Sequence, residues 1–130
     1  MHKNYIALAA IFGGLAVAIG AFGAHGLERI TTDPVILKGY QTGVQYQVYH
    51  ALALLAVGIL FEKYAGSLLN WAARSFILGI IFFSGSLYLI TFLKIQGSTA
   101  VKFAGPVTPL GGLFFIVGWL LLLLAVLKKR

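Results

Sequence analysis

An all-α membrane bundle of four crossings is the fold this sequence predicts, and three observations predict it. Of the 130 residues, 60% are hydrophobic and only 10% charged, whereas soluble domains carry about a quarter charged residues. Mean hydropathy is +0.95. Four apolar stretches approach the length of about 20 residues that a helix needs to cross the hydrocarbon, with charges and helix breakers gathered between them. The length is that of a single domain, residues 1–130.

The first crossing covers residues 5–24 and holds no charge. It is too long for the apolar part of a signal peptide, and further crossings follow, so it reads as a retained helix. Ala9, Gly13, Ala16, Gly20 and Gly23 recur at spacings of three and four and form one stripe of small residues. Lipid tails give helices no hydrophobic reason to associate, so close backbone approach along such a stripe supplies the contact. The segment "HGLERITTDPVILKGY" that follows is charged and interfacial. Within it, Thr32 or Asp33 before Pro34 is a helix start.

From Pro34 the second helix runs unbroken to Phe61, longer than one bilayer crossing. Its crossing part is residues 40–61, and its first turns extend into the outer interface. Glu62 and Lys63 end it, and "YAGSLLNWAAR" reads as a connection. The third crossing is residues 75–93. "KIQGSTAVKFAGPVTP" is rich in breakers, and the fourth crossing, residues 110–127, follows it. Four crossings place both termini on one side. Lys3, Lys63, Arg74, Lys128, Lys129 and Arg130 share that side, against Arg29, Lys38, Lys94 and Lys102 opposite. Basic residues favour the cytoplasmic face, which predicts cytoplasmic termini in a cell membrane.

The net charge of +7 fits flanks that meet anionic headgroups, so the expected partner is the lipid bilayer. Nucleic acid is excluded as a partner, because no basic stripe with interleaved aromatics lies outside the crossings. No cysteine is present, which removes thiolate ligands and a redox pair. No catalytic residue and no metal ligand set emerges. Asp33, Glu28 and Glu62 all sit near interfaces, so a buried carboxylate relay is missing.

One stretch asks for an explanation. "TGVQYQVYHALALL", residues 42–55, puts Gln45, Tyr46, Gln47, Tyr49 and His50 at the start of an apolar run. On a helical wheel Val44, Val48, Leu52, Leu55 and Ile59 gather as a lipid-facing arc. Gln41, Gln45 and Tyr49 form a stripe beside them, with Tyr46, His50 and Gln47 further round. The polar set is expected to look away from lipid, because an unsatisfied amide in hydrocarbon costs several kcal/mol. It then serves either as a hydrogen-bonded network between helices or, with His25, as a ligand site. A neutral His50 suits the network, donating from one ring nitrogen and accepting at the other. A haem held by His25 and His50 is disfavoured by a depth mismatch of about 10–15 Å, and no cofactor is expected. Trp71 and Trp119 fit anchoring at the interface or at the lipid boundary, Trp71 the better of the two.

Taken together, "GAFGAHGL" (20–27), "TGVQYQVYHALALL" (42–55) and "GPVTPLGGLFFIVGW" (105–119) resemble the small membrane proteins grouped as domain of unknown function 423, relatives of transmembrane protein 256. The resemblance spans nearly the whole chain. It implies a four-span helical protein of the cell membrane and carries no activity, cofactor or catalytic residue with it. The leading expectation is a non-enzymatic bundle that acts through helix contacts, as a homo-oligomer or an accessory subunit of a membrane complex. The alternative is a module that binds or transports a quinone, lipid or other polar ligand in a pocket between the outer ends of helices 1 and 2.

Overall fold

The computed structural model describes residues 1–128; Lys129 and Arg130, counted above at the basic end, lie outside the described residues. Helix α1 spans Lys3–His25 and α2 spans Pro34–Tyr64. The third crossing is α3, Ser67–Gly79, joined through a π-helical segment, Ile80–Ser84, to α4, Gly85–Ile95. A short α5, Val101–Ala104, precedes α6, Val107–Leu127. Four helical stretches are long and apolar enough to cross a membrane, and among the described residues there is no strand.

Local chemistry explains the helix ends. His2 caps α1, its Nδ1 accepting the Tyr5 N–H at 3.3 Å. At α2 the capping residue is Asp33, whose Oδ1 accepts the Val35 N–H at 2.9 Å, with Pro34 at the first helical position. Proline loses nothing there, because that N–H has no intrahelical partner. The third crossing starts at Ser67, eight residues before the expected Ser75, so "SLLNWAAR" is helix and not connection. Asn70 and Arg74 lower its hydropathy without opposing helix. The Tyr5 hydroxyl donates to the Asn70 side chain. The Arg74 guanidinium lies 4.8 Å from the Trp71 ring, a stem-along-apolar arrangement open to a long cationic side chain. Gly66, at φ 156°, makes the sharp turn between α2 and α3 in a region only glycine enters readily.

Packing is serial. α1 lies on α2, α2 lies on the third crossing, and α6 covers the far side of the third crossing. α1 is the least buried of the four and α2 the most. Leu54, Val57, Leu69 and Phe76 are fully buried where α2 meets α3. The seam between the third crossing and α6 is built from glycine against phenylalanine. Gly118 receives the Phe76 ring, and Gly79 receives the Phe115 ring. Gly111 lies so close to the backbone of Phe82 and Phe83 that a Cβ there has no space.

Candidate functional site

The α2 face turned toward the bundle carries Gly43, Gln47, His50, Leu54 and Val57, spaced by three and four, all buried. Two of the singled-out polar residues therefore look inward: Gln47, 2% exposed, and His50, 5% exposed. Gln47 ties three helices together. Its Nε2 donates to the Phe12 carbonyl of α1 at 2.8 Å, and its Oε1 accepts the Tyr88 hydroxyl of α4 at 2.7 Å. The Ser84 hydroxyl, in the π-helical segment, donates to the Gly43 carbonyl at 2.7 Å. Near α6, the hydroxyls of Ser86 and Thr108 lie 2.6 Å apart.

His50 is clamped on three sides. Its ring stacks on Phe115 with centroids 3.5 Å apart. Its Nε2 lies 3.1 Å from Trp119 Nε1, and its Nδ1 lies 2.7 Å from the Tyr46 carbonyl. An indole nitrogen can only donate, so Nε2 accepts, and Nδ1 carries the hydrogen given to Tyr46. That is a neutral imidazole with both nitrogens spent inside the protein, which leaves no lone pair for a haem iron. Trp119 thus sits at the level of His50, near the middle of α6, with its side chain 47% exposed. Among the described residues no buried side-chain nitrogen or oxygen lacks a partner, and none form a metal-ligating cluster.

The side chains of the remaining polar residues make no hydrogen bond in this network, which Tyr46 joins only through its backbone carbonyl. Gln41 and Gln45 are exposed, as are Tyr46 at 38% and Tyr49 at 53%. The reason is angular. Gln45 lies about 180° round the helix from the centre of the buried arc, so the Gln41, Gln45, Tyr49 row belongs to the outer side. His25 is also exposed, at the end of α1, and does not approach His50. Within the small-residue stripe, Ala9 and Ala16 are buried, Gly20 meets Val44 of α2, and Gly23 meets the Tyr40 ring. The Tyr40 hydroxyl donates to the Ile19 carbonyl beside them. Gly13 faces open space. The stripe is thus spent mostly within the protomer. Trp119, Tyr88 and Ser84 were invisible as network members, because a lone donor in an apolar run carries no periodic signal.

Two hollows follow the outer side of the α1–α2 seam. One, of about 300 Å³, is lined by Gly20, Ala24, Glu28, Gln41 and Gln45, among others. The other, of about 370 Å³, lies between Ala10, Gly13 and Val17 of α1 and Val48, Leu52 and Leu55 of α2.

Residues 19–112 match the model of a family described as "Protein of unknown function (DUF423)". The chain is 41% identical over 126 residues to a UPF0382 membrane protein of Staphylococcus aureus, covering 97% of each chain. It is 42% identical over 127 residues to the UPF0382 membrane protein YwdK of Bacillus subtilis, covering 97% of this chain and 98% of that one. A UPF0382 membrane protein of Schizosaccharomyces pombe is 38% identical over 112 residues, 86% of this chain and 92% of its own. No solved structure matches.

Proposed function

The chain belongs to the DUF423 family, and on that premise we propose that it is a non-enzymatic membrane protein that works by lateral contact, through α1, with a second copy of itself. One observation carries this reading. Opposite the stripe spent on α2, α1 has a second row of small residues, Ala7, Gly14, Ala18 and Ala21, and all four are exposed. Ile11, Leu15 and Phe22 stand along one flank of that row, also exposed. The exposed side of α6 is different: it presents Leu113, Ile116, Leu120, Leu123 and Leu127. A face that meets only acyl chains gains nothing from small residues, whereas a helix partner needs them for close approach.

The buried polar network supports the non-enzymatic part, since its members are satisfied by one another. The basic residues at the terminal side, six against four, support cytoplasmic termini in the cell membrane. Light scattering of the protein in mild detergent, over a range of concentrations, tests the association. The expected mass is that of more than one protomer. Gly14→Leu is expected to return it to a monomer at unchanged melting temperature, because a Cβ at Gly14 meets nothing within 4 Å. A wild-type monomer at every concentration overturns the proposal.

A further inference from the structure

We infer that the outer groove of the α1–α2 seam seats one acyl chain of a bilayer lipid whose head carries a primary ammonium. The two hollows succeed one another along the same side of the seam. On α1 they follow Ala10, Gly13, Val17, Gly20 and Ala24, and on α2 Gln41, Gln45, Val48, Leu52 and Leu55. Both series step by three and four, so each stays on one face of its helix. Polarity along the groove is graded. The end beside the α1–α2 loop holds the Glu28 carboxylate and the Gln41 and Gln45 amides, and below Gln45 the walls are wholly apolar.

Dimensions point to a lipid chain. Gln45 to Leu55 is ten residues, about 15 Å of helix, which is half of a hydrocarbon core about 30 Å thick. The lower hollow, about 370 Å³, extends over the seven residues from Val48 to Leu55, about 10 Å. That is room for a hydrocarbon chain, and too little for a helix about 10 Å across. Chemistry selects the head. The side chains of Glu28, Gln41 and Gln45 make no hydrogen bond or ion pair with any described residue, and all three are exposed beside the seam. The Glu28 carboxylate only accepts, whereas the two amides both donate and accept, so a head that pairs a primary ammonium with a phosphate satisfies all three. A quaternary ammonium offers no donor, and an anionic head meets Glu28 with like charge.

The test uses the full chain in vesicles of equal parts phosphatidylethanolamine, phosphatidylcholine and phosphatidylglycerol, extracted gently, with retained lipid weighed by native mass spectrometry. Phosphatidylethanolamine is expected to be retained at least fivefold over its bulk share. Glu28→Gln is expected to abolish its advantage over phosphatidylcholine, and Gln45→Leu to lower total retention, both at unchanged melting temperature. Retained lipid that mirrors the vesicle composition overturns the inference. So does an intermolecular disulfide through Val48→Cys, which puts a second copy in the groove. The monomeric Gly14→Leu protein is expected to keep the lipid preference; its loss there assigns the lipid to a protomer interface and also overturns the seam.

Discussion

His50 is held by geometry that leaves it no freedom to act on anything else: Phe115 against its face, Trp119 on one nitrogen and the Tyr46 carbonyl on the other. The Trp119 bond joins α6 to α2, two helices with few other contacts. Interhelical hydrogen bonds in membranes contribute about 0.6 to 1.7 kcal/mol. A double-mutant cycle of His50→Phe and Trp119→Phe, followed by unfolding in detergent, is therefore expected to return a coupling of about 1 kcal/mol. A coupling of zero within error removes that bond from the account of the bundle. Which polar residues face inward was only half legible. In water an apolar arc marks the inside, but here both sides of α2 are apolar, and the valine–leucine arc says only where lipid is. The glycines and alanines that permit close approach mark the buried face, and Gly43, Ala51 and Gly58 put its centre nearer Gln47 than Gln45.

At the scale of elements, crossings one, two and four stood out in the sequence because charge and proline bound them sharply. The third did not. Asn70 and Arg74 interrupt its apolar character, yet α3 begins at Ser67, and Asn70 is used as an acceptor for Tyr5. The π-helical segment gave no signal either, although α6 packs directly on it. Gly111 lies against the Phe82–Phe83 backbone within that segment. Gly111→Ala thus drives a methyl into backbone, which cannot swing aside like a side chain. A loss of about 1–3 kcal/mol is expected from overpacking, read as a lower unfolding midpoint in detergent. Gly112→Ala, whose Cβ meets only the Phe83 ring at 3.9 Å, is expected to leave stability unchanged or raise it by up to about 1 kcal/mol, because alanine is the better helix former. Equal effects at the two positions deny the close approach its role.

The whole molecule has two unlike flanks, because serial packing leaves α1 and α6 each covered from one side. On α1 the uncovered side is a row of small residues, and on α6 it is leucine and isoleucine. Without a hydrophobic drive, only the flank that lets backbones approach can hold a partner. The chain has no cysteine of its own, so single introduced thiols report this cleanly. Ala18→Cys and Leu120→Cys both lie within crossings and are both exposed, and they differ only in the flank that carries them. Under mild oxidation in vesicles Ala18→Cys is expected to form a disulfide-linked dimer in most of the protein. Leu120→Cys is expected to stay monomeric at the same density. Random collision in the membrane predicts equal yields, and a dimer through Leu120→Cys alone moves the contact to the other flank. The sequence contained this asymmetry in its first 25 residues, but a small-residue row does not declare whether an intramolecular or an intermolecular neighbour uses it. α1 carries two such rows on opposite sides, and only the placement of α2 shows which one is left over.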